Sequence, residues 1–203
     1  MQLDPANFDR RDMHELLVAA IMPRPIAWVS TVGEDSVFNL APFSMFTSVS
    51  LKPTIVCFCI GWRRDGQEKD TLKNIKWSKD FVINVVDESL AEAMNQSSAE
   101  YPAHVNEFQE VGLTPVKGGI VKAPRVAESP MSMECQLRQI LEFGERPSGG
   151  CLILGEVVRF HVRDEFYVNG QIEVSKLKLI GRLGAELYCR ITDTFEMKRP
   201  YIL

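Results

Sequence analysis

Lys69-Asp70-Thr71 opens an amphipathic stretch that continues through Lys73 and Asn74. The first turn of a helix carries N–H groups without helical partners and a partial positive charge. A lysine amine and a threonine hydroxyl beside them make a seat for a phosphate monoester. Asp70 opposes an anion unless it points away as the N-cap. The same residues also describe an ordinary capped surface helix with a solvated lysine, and spacing leaves both readings open. A second segment runs Asn39-Leu40-Ala41-Pro42-Phe43-Ser44. Pro42 has no backbone donor, so a strand is expected to break there and its ladder to be interrupted. Asn39 and Ser44 then flank exposed backbone groups, which suit a flat heteroaromatic ring with alternating donors and acceptors. A β-bulge in which Asn39 bonds its own turn is the alternative.

Other chemistries lack their residues. No Gly-x-Gly-x-x-Gly follows a strand, and neither a Walker A sequence nor Gly-x-Ser-x-Gly is present. Gly181-Arg182-Leu183-Gly184 has two glycines three apart, a weak signal alone. The cysteines are Cys57, Cys59, Cys135, Cys151 and Cys189, an odd count with no Cys-x-x-Cys. They are expected to be buried free thiols in a reducing cytoplasm, with Cys57 and Cys59 on one face of a strand. His14, His104 and His161 show no ligand spacing, so no metal site is expected. His161 lies in an apolar strand and is expected to be structural.

The elements that must position these residues alternate between strands and short helices. Asp12 is expected to start a helix over Met13–Ala20 that Pro23 stops. Strands are expected at 26–32, at Val37–Phe38 with resumption over 43–49, at 54–60 and at 81–86. Helices are expected over 69–79 and, capped by Asp87, over 87–96. The stretch 97–122 is irregular, with a short helix near 106–111. Strands follow at 131–143 and 151–162, then a tight turn at Asn169-Gly170 and a last strand at 187–191. Without regular βα alternation, a closed or partly closed antiparallel barrel fits better than a doubly wound sheet.

Composition bounds the function classes. The 203 residues are expected to form one domain, 1–203, with a core large enough to need no disulfide or metal. Net charge is −4, from 23 basic and 27 acidic side chains, which argues against a general nucleic-acid coat. No run of 18 apolar residues exists, and the N-terminus holds Asp4, Asp9 and Asp12, so neither a membrane span nor a secretory signal is expected.

Taken together and in order, these segments resemble the flavin reductase-like, FMN-binding split-barrel family, in its flavoprotein oxygenase-associated or flavoredoxin-like branch. The matching residues are Pro23-Arg24-Pro25-Ile26, Trp28-Val29-Ser30-Thr31, Asn39-Leu40-Ala41-Pro42-Phe43-Ser44, Lys69-Asp70-Thr71 and Asn74-Ile75. Phe81-Val82-Ile83-Asn84, Pro124-Arg125, Glu128-Ser129-Pro130, Glu134-Cys135, Gly155-Glu156-Val157, Arg182-Leu183-Gly184 and Tyr188 continue the match. It runs from about residue 20 to about 190 and is specific in order and spacing, not in any one motif. One departure is Ala185, where many relatives carry glycine.

The resemblance implies a mainly β fold with short helices, an antiparallel split β-barrel of Greek-key type. It implies a homodimer with one FMN per subunit near the interface. Carried over by position, Ser30, Thr31, Asn39, Ala41, Pro42 and Ser44 would line the isoalloxazine and ribityl chain. Lys69 and Thr71 would hold the phosphate, Asn74 would assist, and Arg182 would reach the flavin edge. The implied activity is NAD(P)H-dependent FMN reduction, with the nicotinamide bound transiently over the flavin and no catalytic side chain assigned. Reduced flavin or electrons would pass to a partner oxygenase or another acceptor. A flavoredoxin-like FMN electron carrier without NAD(P)H activity, and a barrel that has lost its cofactor, are the alternatives.

Overall fold

The structure is a computed structural model and describes residues 1–201. It begins with α1 (Arg10–Ala20), β1 (Ala27–Val32), β2 (Phe38–Phe43), β3 (Phe46–Leu51) and β4 (Thr54–Gly61). Then come α2 (Asp70–Ser78), β5 (Asp80–Asn84), α3 (Ala91–Gln96), α4 (Glu107–Glu110), β6 (Pro115–Val116) and β7 (Arg125–Val126). The long strands β8 (Met131–Phe143) and β9 (Gly150–Val162) follow, then β10 (Tyr167–Val168), β11 (Gln171–Ile172), α5 (Val174–Leu177), β12 (Ile180–Arg182) and β13 (Tyr188–Arg190).

Seven strands form one antiparallel sheet in the order β2-β1-β5-β8-β9-β4-β3. Its two edges, β2 and β3, are consecutive in the chain and separated only by Ser44 and Met45. A flat sheet would hold those edges about 29 Å apart, six spacings of about 4.8 Å. Three Cα steps reach about 11 Å. The sheet must therefore curl until its edges nearly meet, which makes a barrel split along the β2–β3 junction. Phe43 of β2 and Phe58 of β4, the strand next to β3, pack across the split with ring centroids 5.2 Å apart.

Every residue of β1 is buried. Ala27 and Val29 face the barrel interior with Phe58, Phe81, Ile83 and Ile153, while Leu72 and Ile75 of α2 join the same cluster. Trp28 faces outward into a second core with Leu40, Met94 and Phe108. Covering both faces explains the near-continuous apolar run. Gly155 on β9 is required by close approach: a Cβ there would lie 2.4 Å from the Phe81 ring.

Several local expectations are corrected. The first helix starts at Arg10, and its N-cap is Asp9, whose Oδ1 accepts the Asp12 N–H at 2.9 Å. Both aspartates suit a helix start, and the upstream one takes the cap. Pro42 does not break its strand. The Leu40 amide points away from β1, because it donates to Glu107, and Pro42 two residues on shares that orientation. Its missing N–H lies on the free edge of β2, so no ladder bond is lost, and the break falls at Ser44-Met45. Asp70 is the first helical residue, not the N-cap of α2; that place belongs to Lys69, without a side-chain cap bond. Of the cysteines only Cys135 and Cys151 are buried. Cys57 and Cys59 do share a face of β4, but Val56, Phe58 and Ile60 take the inner one. Asn169-Gly170 forms the expected tight turn, with φ of 52° and 81°.

Candidate functional site

A groove of about 920 Å³ opens beside the split. Its walls come from the end of α1, the β2–β3 junction with Pro42 and Ser44, Lys69 before α2, and the β12–β13 loop with Arg182. Arg24 joins these walls. Its Nη1 donates to the carbonyls of Val18 at 2.9 Å and Ile21 at 3.0 Å, its Nη2 to the Leu183 carbonyl at 2.6 Å, and its Nε to Ser44 Oγ at 3.4 Å. Its backbone pairs with that of Arg182. Only 4% of Arg24 is exposed, and no carboxylate neutralises it among the described residues. Burial first, and Arg182 second, push its pKa down. Arg182 bonds Tyr188 Oη and the Ala185 carbonyl, with its guanidinium 4.4 Å from the Tyr188 ring centre. Ala185 has φ of 48°, the left-handed region where glycine is favoured. The departure at this position therefore puts a strained alanine in the loop that carries Arg182.

A smaller chamber of about 50 Å³ adjoins the groove through Lys69, which lines both. Asn39, Ala41, Thr71, Arg63 and Glu107 contribute to its wall, closed by the start of the irregular segment after α3. Asn39 Nδ2 donates to Thr71 Oγ1 at 3.0 Å. The Leu72 and Lys73 amides turn back to the Lys69 carbonyl, which leaves those of Asp70 and Thr71 at the open end of α2. Asp70 is engaged by Arg63 and, at 3.1 Å, by Lys73, so its charge is matched by two cations. Burial lowers the Lys69 pKa, with Glu100 pulling it up and Arg63 pushing it down. Glu107 accepts the Leu40 N–H at 3.1 Å, and burial raises its pKa to about 7 against the effect of its backbone hydrogen bonds.

The structure thus brings Asn39, Ala41, Pro42, Ser44, Lys69, Thr71 and Arg182 around the groove and the adjoining chamber. Ser30 and Thr31 lie outside them, and Asn74 lines an opening next to the chamber. Ser30 is fully buried, bonds the Pro124 carbonyl and accepts from Asn84 Nδ2 at 3.0 Å. Thr31 is equally buried and accepts from Asn74 Nδ2 at 3.0 Å. Neither faces the groove, because β1 is covered on both sides. Asn74 lines that further opening with Asp35 and Lys73, and the opening shares Asn39 and Asp70 with the chamber. Two site residues carried no assigned role in the sequence: Arg24, marked only by its two flanking prolines, and Glu107, which nothing local marks.

Residues 19–178 match the model of the family described as flavin reductase like domain. A protein of Halalkalibacterium halodurans, named only as uncharacterized, is 35% identical over 205 residues, covering 100% of this chain and 98% of its own length. The structure of nitrilotriacetate monooxygenase component B from Bacillus cereus superposes with a TM-score of 0.92 at 33% identity, covering 97% of this chain and 98% of that one. That of 2-nitrobenzoate 2-nitroreductase NbaA from Pseudomonas fluorescens gives 0.90 at 28% identity, over 100% and 98% of the two chains. Flavoredoxin of Desulfovibrio vulgaris, at 20% identity and a TM-score of 0.76 over 87% and 91% of the chains, shares the fold. A split antiparallel barrel, a groove at its split and a family match over four-fifths of the residues lead to one assignment: the chain belongs to the flavin reductase-like family.

Proposed function

We propose that the groove and its chamber hold FMN, and that the protein is an NAD(P)H-dependent FMN reductase. Reduced flavin or electrons would go to a partner oxygenase or another acceptor. The observation that carries this reading is the placement of Lys69, which joins an apolar-walled groove to a chamber at the N-terminus of α2. The residues fit the ligand. Pro42, Phe43, Met45 and Ile26 offer apolar surface for a flat ring system. Lys69, Thr71 and the free amides of α2 offer donors for a phosphate, and Arg63 Nε is a buried donor without a partner beside them. Arg24, Arg182 and Lys69 outnumber the single groove carboxylate, Glu15, which favours an anionic occupant.

Bound there, FMN supplies the two-electron chemistry that these side chains lack. Lys69 holds charge against the phosphate, and Asn39 keeps the Thr71 hydroxyl oriented. Arg24 fixes the separation of the groove walls. No side-chain acid or base is assigned. In this reading the chain is a single domain that works as a cytoplasmic homodimer, and exposed Val49, Leu51 and Leu187 support an apolar contact between subunits.

The test is an anaerobic visible spectrum of FMN-loaded protein before and after NADH or NADPH. Flavin bleaching faster than that of free FMN is expected. A yellow protein that neither nucleotide reduces would replace the reductase with an electron carrier fed by another protein.

A further inference from the structure

The Pro124-Arg125 motif is not used by the groove. Arg125 lies in β7 and lines a separate opening of about 550 Å³ with Ser129, Ser132, His161, Arg163 and Asp164. No residue of this opening lines the groove or its chamber. Among the described residues the Arg125 guanidinium makes no hydrogen bond, ion pair or aromatic contact, and its Nε is a buried donor with no acceptor. Its half-buried position sets it apart from Arg10, Arg64 and Arg159, which are exposed to water.

Arg163 and His161 around it are paired, while Asp164 on the rim has no ion-pair partner among the described residues. Arg163 binds Glu165 at 2.8 Å, and His161 Nε2 meets Glu134 Oε1 at 2.5 Å. Ser132 donates to Asn84 Oδ1 at 2.9 Å, and Ser129 to the carbonyls of Val85 and Met131. Among the cations lining the opening, one planar fork of donors is left over, facing a space of small-molecule size. Asp164 and Glu165 on the rim oppose a ligand of high negative charge.

We infer that Arg125 anchors a second binding site, which takes a small molecule through one carboxylate held bidentately. A single negative charge satisfies the guanidinium without strong repulsion from the acidic rim, and a phosphate dianion would meet more of it. The site is independent of the flavin reading.

The experiment uses the full chain with FMN added, and follows the side-chain ¹⁵Nε–¹Hε resonance of Arg125 by NMR. The resonance is identified by its loss in Arg125→Lys. The probes are sodium benzoate, sodium phosphate and sodium chloride at matched ionic strength. A saturable shift with benzoate, at least about tenfold weaker with phosphate and absent with chloride, is expected. Arg125→Lys should weaken benzoate binding about tenfold, read by melting temperature. Should that variant fail to fold, Arg125→Gln in selectively arginine-labelled protein identifies the resonance, and the labelled wild type carries the titration. No saturable shift in the wild type overturns the inference, including the case in which a second copy's carboxylate already fills the opening. Tighter binding of phosphate than benzoate overturns the carboxylate assignment.

Discussion

Glu107 gives the pH dependence of stability a definite sign. Its side chain is 8% exposed, it accepts the Leu40 amide, and burial raises its pKa to about 7 from an ordinary 4.5. The unfolded chain releases this proton near pH 4.5, whereas the folded chain keeps it until near pH 7. The folded state therefore loses stability as pH rises through that window and the loss is complete above it. At about 1.4 kcal/mol per pH unit the ceiling is about 3 kcal/mol, and partial solvent access brings the expected loss to about 2 kcal/mol. Glu107→Gln keeps an oxygen for the Leu40 amide and removes the titration. Arg63, Lys69, Asp70, Glu100 and Tyr101 around the chamber are common to both proteins, so only their interaction with the Glu107 charge, the repulsion from Asp70 among it, enters the difference. Urea unfolding of flavin-free protein at pH 4.5, 6, 7 and 8 measures the difference. The variant should match the wild type at the lowest pH and exceed it by about 2 kcal/mol at pH 8. That difference corresponds to a melting temperature about 4–8 °C higher. A difference that stays constant across the series would refute the assignment of a buried, neutral Glu107.

Glu134 should behave in the opposite sense. It is fully buried, its carboxylate accepts the amides of Gly119, Ile120 and Val121 and faces His161, and its pKa is lowered to about 2. Its stabilisation is present above pH 4.5 and lost as pH falls towards 2, so Glu134→Gln should cost about 2–3 kcal/mol at pH 7 and little at pH 2, read by chemical unfolding. Gly155→Ala should destabilise by about 1–3 kcal/mol in the same assay, since the added methyl meets the Phe81 ring. Ala185→Gly relieves a left-handed alanine worth about 1–2 kcal/mol against about 0.4–1 kcal/mol of added unfolded-state entropy, so a small rise in melting temperature is expected.

How legible each feature was depends on how far its causes lie along the chain. The long strands β8 and β9 and the Asn169-Gly170 turn follow from local patterning and were readable. The outward face of Cys57 and Cys59 was not, because periodicity says that two residues share a face but not which face is covered. Pro42 misled for a related reason: a proline ends a ladder only if its nitrogen points at a neighbour, and β2 is an edge strand. Ser30 and Thr31 sit in a family motif, yet two-sided burial of β1 depends on α2 and on the segment after α3. Arg24 and Glu107 act on groups 159 and 67 residues away, the Leu183 carbonyl and the Leu40 amide, and no local signal encodes such a pairing.

The central claim is that the chamber at α2 holds the phosphate of FMN. Fluorescence titration of FMN and of riboflavin, which lacks the phosphate, tests it directly in the wild type and in the Lys69→Ala, Thr71→Ala double variant. Wild-type protein should bind FMN about tenfold to a hundredfold more tightly than riboflavin, the range expected for hydrogen bonds to a charged group. The double variant should lose most of that preference while keeping the wild-type circular dichroism, the α2 amides and Arg63 retaining the remainder. Equal affinity of the wild type for both flavins, or an FMN preference undiminished by the double substitution, would contradict the account.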